Sequence, residues 1–222
     1  MKFSDILASS IHDIKNSLGI ISNSLDELLN DPSNQISDLK QASLLQNEVQ
    51  RASNNMIQLL TLYKMGVEQM VVSVQEISLD DLLSEVVVEN QTTASALGIQ
   101  IEYQCDPYLR GFFDEDLVRG VLNSTIGNAL RYAKSQILLS ASEADGYLLI
   151  RIEDDGLGYP QAMLDALSQS NQAESFSHGR TQLGLYFADQ VARLHTAGDR
   201  QGSIQLTNQR SLSGSCFELR LP

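Results

Sequence analysis

The sequence predicts an α+β chain: an N-terminal helical hairpin that forms a dimeric four-helix bundle, followed by an α/β sandwich. Three observations carry this. Apolar residues recur at threes and fours from Ile6 through Tyr63, the period of a helix with one buried face. A turn cluster, Asp31-Pro32-Ser33-Asn34-Gln35, splits that pattern into two arms. Beyond Gly66 the pattern changes to short alternating runs interleaved with helical stretches, as in a mixed sheet covered by helices.

The first helix is expected from about Ser4 to Asn30, with Ile6, Leu7, Ile11, Ile14, Leu18, Ile21, Leu25, Leu28 and Leu29 as its stripe. Pro32 stops any helix running into it. The second arm follows Ile36, Leu39, Leu44, Leu45, Val49, Ala52, Met56, Leu59, Leu60 and Tyr63. Two long helices joined by a short turn pack antiparallel, but one hairpin buries only one side of each stripe. A second copy is therefore expected to close the bundle, with Leu25, Leu28, Leu45 and Leu59 in its core. Residues 1–66 form this domain, 67–75 a linker and 76–222 the second domain. Strands are expected at Val71–Val74, Ile99–Tyr103, Ile137–Leu139, Tyr147–Ile152, Ile204–Thr207 and Cys216–Leu221. Helices are expected at Leu79–Leu97, Asp114–Ala133 and Leu183–His195, most simply on one face of the sheet. Ala144-Asp145-Gly146 marks a hairpin, and the Ser-, Gln- and Asn-rich Gln161–Gly179 a mobile loop.

Composition is that of a globular protein, 42% hydrophobic and 19% charged. A net charge of −13 argues against nucleic-acid binding and against docking on anionic lipid. Cys105 and Cys216 fit no metal or redox spacing and read as reduced thiols of a cytoplasmic protein. No apolar run reaches the length of a membrane span. The chain starts almost on its first helix, so its input is expected from a separate sensor protein, a small ligand or its own expression level.

Four stretches have chemical potential. His12-Asp13 lies at the edge of the first apolar stripe, with Asn16 one turn after His12. A carboxylate beside an exposed imidazole can keep one ring nitrogen protonated while the other attacks. Taken alone, His12 reads better as a surface histidine. Asn128-Ala129-Leu130-Arg131-Tyr132 offers a carboxamide oxygen to a hard cation and a guanidinium one turn later, although alone it is a polar helix face. Glu153-Asp154-Asp155-Gly156-Leu157-Gly158 follows a strand. There a carboxylate can accept from the exocyclic amine of a base, and glycines admit close backbone approach, as they do in ordinary acidic turns. Gly179-Arg180-Thr181-Gln182-Leu183-Gly184-Leu185 opens a helix whose N-terminal N–H groups can take phosphate, or simply a capped helix start.

Each signal is weak alone, but in this order and spacing the chain resembles the core of a two-component histidine kinase over nearly its whole length. Residues 1–65 resemble the dimerisation and histidine-phosphotransfer domain, with His12–Asn16 as the H-box. Residues 71–222 resemble the Bergerat (GHKL) ATP-binding domain. Asn128–Tyr132 matches the second half of the N-box, Asp154–Gly158 the DxGxG G1 box, and Leu183-Gly184-Leu185 the end of the G2 box, with Phe176 an F-box remnant. The resemblance implies that His12 takes the γ-phosphoryl of ATP and that Asp13 orients and deprotonates it. It implies that Asn128 binds Mg²⁺, that Arg131 and Tyr132 lie along the nucleotide, and that Asp154 reads the adenine amine. Gly156 and Gly158 hinge an ATP lid at about 159–182, and Arg180, Thr181, Leu183 and Gly184 belong to the nucleotide site. The implied partner is the receiver domain of a response regulator.

The chain departs from the family pattern in places. Ser124 stands where the N-box usually has a second Asn or acid, and Asn123 is rotated about 100° from it. Arg180 and Gln182 replace two glycines of the G2 box, and Ser17 replaces the usual proline after the H-box, which should leave that helix straighter. The departures favour an alternative: a non-catalytic phosphotransfer or adaptor protein with a vestigial ATP domain. Asp13 and Asn16 match the acid and amide, three residues apart, that mark phosphatase activity in such kinases, so a bifunctional kinase/phosphatase is expected.

Overall fold

The computed structural model describes residues 3–30, 39–66, 70–169 and 182–222. The chain divides into two compact units, Met1–Met70 and Val71–Pro222. In the first unit, helices α1 (Phe3–Asn30) and α2 (Leu39–Gly66) pack on each other. The expected turn at 31–35 lies outside the described residues. Helix α1 runs unbroken through Ser17, whose hydroxyl donates back to the Asp13 carbonyl (3.0 Å). Of the proposed bundle core, Leu28, Leu45 and Leu59 are exposed in a single chain. Their apolar surface is not covered by their own hairpin.

The second unit begins without the expected strand at 71–74. Val71 and Val74 are exposed, and the Ser73 N–H donates to Asp114 Oδ2 (2.8 Å) rather than to a ladder. Pairing starts at β1 (Gln75–Ser78), antiparallel to a strand that periodicity missed, β3 (Arg110–Phe113). Between them run α3 (Leu79–Ala96), capped by Ser78, and β2 (Gln100–Gln104). Helix α4 (Glu115–Tyr132) follows, capped by Asp114 Oδ1 on the Leu117 N–H (3.1 Å). Strands β4 (Gln136–Ala144) and β5 (Tyr147–Asp154) form the expected hairpin. Asp145 and Gly146 both take positive φ (53° and 73°), so the two-residue turn matches the strand twist. Helix α5 (Gln161–Gln169) occupies part of the expected mobile loop. Polar composition concealed the apolar Met163, Leu164 and Leu167, and residues 170–181 lie outside the description. Helix α6 (Gln182–Leu194), a small hairpin β6 (Thr196–Ala197) and β7 (Arg200–Gln201), then β8 (Ser203–Asn208) and β9 (Ser215–Leu221) complete the chain.

The main sheet has the order β2-β4-β5-β9-β8, parallel only between β2 and β4. Registration puts Leu139, Ile152, Phe217 and Leu206 in one row and Ser140, Arg151, Glu218 and Gln205 in the next. The first row, with Ile137, Ile150 and Leu219, is buried on the side that meets α3, α4 and α6. The second is polar, and its Arg151–Glu218 pair (2.6 Å) is largely shielded from water. Three helices thus cover one face, as the alternation predicts.

Buried His195 locks the helices at one end. Its Nε2 accepts from the Asp114 N–H (3.0 Å), so Nδ1 carries the proton and donates to the Val191 carbonyl (2.8 Å). The cap of α4 is thereby joined to the end of α6. Cys105 and Cys216 are free thiols, and Cys216 is buried.

Ile150 is fully buried in the middle of this core. Ile150→Ala is expected to cost roughly 2–5 kcal/mol, read from urea denaturation of the second unit's signal.

Candidate functional site

Strand alternation fixes where the three consecutive acids at the end of β5 go. Asp154 continues the core row of Ile150 and Ile152 and is buried, at the foot of the helix layer. Its Oδ1 accepts from the Gly156 N–H (2.7 Å) and the Ser215 N–H (3.3 Å), and its Oδ2 accepts from the Ser215 hydroxyl. Glu153 points to the other face, where it accepts from the Ser211 and Leu212 N–H groups (2.7 and 3.2 Å). Asp155 leaves the strand and accepts from the Lys134, Ser135 and Gln136 N–H groups (2.8–3.2 Å) and from the Ser135 hydroxyl (2.6 Å). Neighbouring carboxylates thus hold three different segments.

The glycines let this turn sit close to its neighbours. A Cβ on Gly156 would lie 2.4 Å from the Tyr132 carbonyl oxygen, at the end of α4. Gly158 has φ +80° and packs on Asn208, whose side chain holds Tyr159 at both its N–H (2.8 Å) and its carbonyl (3.0 Å). Asp155 is a strongly perturbed acid. Partial burial pushes its pKa up, but hydrogen bonds from Ser135, Gln136 and Lys134 outweigh that and hold it well below the usual carboxylate range. Burial, reinforced by the Asp154 charge, pushes the Tyr159 phenol up despite a hydrogen bond with Ser215.

The exposed side of α4 runs from this turn to the start of α6. Ser124 and Asn128, one turn apart, both face Gly184: a Cβ there would lie 3.0 Å from Ser124 Oγ and 3.8 Å from Asn128 Nδ2. Asn123 turns away to α3, donating to Glu89 (2.8 Å) and accepting from Asn90 (2.8 Å). It does not replace the missing second N-box group. Arg131 and Tyr132 are exposed at the end of the same helix, and Leu183 and Gly184 are half-buried at the start of α6. The structure therefore brings Gly184 to Asn128 and Gly156 to the Tyr132 carbonyl and Asp154, whereas Gly158 packs on Asn208 of β8. Phe176, Arg180 and Thr181 lie outside the described residues. In the first unit Asp13 and Asn16 are exposed on α1, and the His12 side chain is not described.

Sequence reading missed Ser215, Asn208 and the bracing role of Asp155. Ser215 stands next to Asp154 only through the β5–β9 pairing, which joins residues 61 apart. The arrangement fits a purine nucleotide: a buried acceptor, glycines at points of backbone approach, and a carboxamide near a helix start. Among the described residues no three His, Cys, Asp or Glu side chains form a metal centre. No described helix is long and apolar enough to cross a membrane.

Comparison with known proteins agrees with this geometry. Residues 113–222 match the family described as histidine kinase-, DNA gyrase B- and HSP90-like ATPase. The sensor-like histidine kinase SenX3 of Mycolicibacterium smegmatis is 23% identical over 98% of this chain and 57% of its own length. AfsQ2, a signal transduction histidine-protein kinase of Streptomyces coelicolor, is 33% identical over 46% of this chain and 18% of its own. The chain spans less than two thirds of the curated relatives it matches. Among solved structures, full-length ShkA in complex with AMPPNP aligns with TM-score 0.65 at 19% identity, over 98% of this chain and 45% of that one.

Stability should respond to acid through Asp155. Its folded pKa is depressed, so its contribution is present above the unfolded value near 4 and is lost as pH falls below it. Denaturation between about pH 5 and pH 2 should show this loss, smaller in Asp155→Asn. Taken together, the buried acid, the glycine turn and the matched family model show that residues 113–222 form a histidine kinase-like ATPase domain, similar to those of sensor kinases.

Proposed function

We propose that the chain is a protein-histidine kinase that phosphorylates His12 from MgATP and passes the phosphoryl group to a response-regulator aspartate. The observation that carries this reading is buried Asp154, held by Gly156 and Ser215 beside a glycine turn that abuts α4. There it accepts from the adenine amine. Asn128, beside Gly184, faces the phosphate end and contributes one oxygen to Mg²⁺, with Arg131, Tyr132, Arg180, Thr181 and Leu183 around the nucleotide. Mg²⁺ held there would neutralise charge on the phosphates.

Phosphoryl transfer breaks the bond from the γ-phosphorus to the bridging oxygen, releases ADP and forms a bond from phosphorus to a His12 ring nitrogen. Asp13 holds the proton on the other ring nitrogen. The histidine then gives the phosphoryl to a receiver aspartate and is regenerated. A second copy of the chain closes the bundle, as the exposed Leu28, Leu45 and Leu59 support. The receiver partner implies that this chemistry takes place in the cytoplasm.

A second reading is favoured by Ser124. It stands against Gly184 at the place where the family usually has a second Asn or acid. On that reading the ATP domain is vestigial, and the dimer relays phosphoryl groups or holds a regulator.

Incubation with γ-labelled ATP and Mg²⁺ is expected to give acid-labile, base-stable label, absent in His12→Ala. Asp154→Asn should lose most nucleotide binding, because an amide can present a donor where the adenine amine needs an acceptor. Absence of both label and nucleotide binding in the wild type would select the relay reading.

The reverse reaction is assigned to Asn16, exposed on α1 four residues beyond His12. Its carboxamide can aim a water at a phosphorylated receiver aspartate. Asn16→Ala should retain His12 label and slow loss of phosphate from the regulator; equal decay would refute the phosphatase role.

A further inference from the structure

We infer that Asp155 is a positioning residue that sets selectivity for adenine over guanine by fixing where Asp154 stands relative to α4; this rests on reading Asp154 as the adenine contact. The turn after β5 meets the corner between α4 and β4 at backbone distance, as Gly156 and the Tyr132 carbonyl show. One carboxylate holds that approach. Asp155 Oδ1 accepts from Lys134 N (2.8 Å), Ser135 N (3.0 Å) and Gln136 N (3.2 Å), and Oδ2 accepts from Ser135 N (3.1 Å) and Ser135 Oγ (2.6 Å). The Asp155 N–H adds a weaker bond to the Gln136 carbonyl (3.3 Å). Among the described residues these are the hydrogen bonds joining residues 155–158 to 132–136.

The consequence for base choice follows from the two purines. Adenine presents an amine donor where guanine presents a carbonyl acceptor. A fixed carboxylate therefore attracts the first and repels the second. Discrimination by one polar contact is strong only while that contact cannot drift. Asp154 is anchored on the β9 side by Ser215 and on the β4 side by its register with Ile137, and the turn that follows it is tied to the corner after α4 through Asp155, the next residue. The two acids have separate roles, since one contacts the base and the other holds the first in place.

The test compares affinities of the full chain for ATP and GTP, by displacement of a fluorescent nucleotide, at a temperature where near-UV circular dichroism shows every variant folded. Asp155→Ala should lose ATP affinity by about tenfold or more, with little loss for GTP, so that the ATP:GTP preference falls by a similar factor. Asp155→Asn retains the oxygen facing the three N–H groups and should stay within about threefold of wild type. A wild-type ATP:GTP ratio in Asp155→Ala, whatever its melting temperature, overturns the proposal. Should Asp155→Ala not fold, Asp155→Ser takes its place: its single, shorter-reaching hydroxyl cannot bond the Lys134, Ser135 and Gln136 N–H groups together, and an unmoved ratio again overturns the proposal. If Asp154→Asn leaves ATP affinity unchanged, the adenine reading itself fails and this inference with it. If Asp154→Asn abolishes binding while the Asp155 variants keep wild-type selectivity, only the inference fails.

Discussion

An ionised carboxylate at the edge of a core is costly unless hydrogen-bond donors surround it, and the second unit is built around meeting that requirement at the end of β5. Asp154 draws in the Gly156 N–H from its own turn and Ser215 from β9. Asp155 draws in the corner that follows α4, and Glu153 the loop between β8 and β9. The donors come from segments far apart in the chain, so satisfying three adjacent charges also brings those segments together. The same bonds that solvate the acids define the candidate site. A group at such a position meets a ligand without first having to be ordered.

Much of this was legible in sequence, for identifiable reasons. The alternation in Tyr147–Asp154 and the Asp145-Gly146 turn specified a hairpin, because both are local and have few alternatives. The helices from Leu79 and Glu115 were legible from their apolar periodicity, and the structure adds Ser78 and Asp114 as their caps. The motif residues were legible because their spacing repeats a family pattern. The strand at Arg110–Phe113 was not, since a four-residue ribbon with a glycine in it has no periodicity to detect. The expected strand at 71–74 failed because Asp114, forty-one residues away from Ser73, takes its N–H. Ser215 and Asn208 were hidden for the same reason: their importance lies in the register of distant strands, which side-chain alternation does not reveal.

The two units contrast in how they treat apolar surface. In the second, Phe113, Ile150, Phe217 and Leu219 are fully enclosed by the chain itself. In the first, Ile14, Ile21, Leu28 and Leu45 remain about half exposed on helices of regular amphipathic pattern. A two-helix unit is too thin to enclose a stripe on each helix, whatever its sequence. The hairpin therefore leaves apolar surface that the proposed second copy would cover, whereas the sandwich encloses its own.

The seam between β5 and β9 has a kinetic meaning. The β4–β5 and β8–β9 pairs are hairpins, formed between chain neighbours, and their loop closure is short. The β5–β9 seam joins them across more than sixty residues, and Ser215 reaches Asp154 only when it closes. Contacts of such sequence separation form late, because the entropy of closing the loop is lost before the contact is gained. On a ribosome β9 is made after every other element described above, as its residues run to Leu221. The acid at the end of β5 thus waits for a residue 61 positions further on, and a nascent chain stopped before Ser215 contains every motif residue without the strand that holds Asp154 in place.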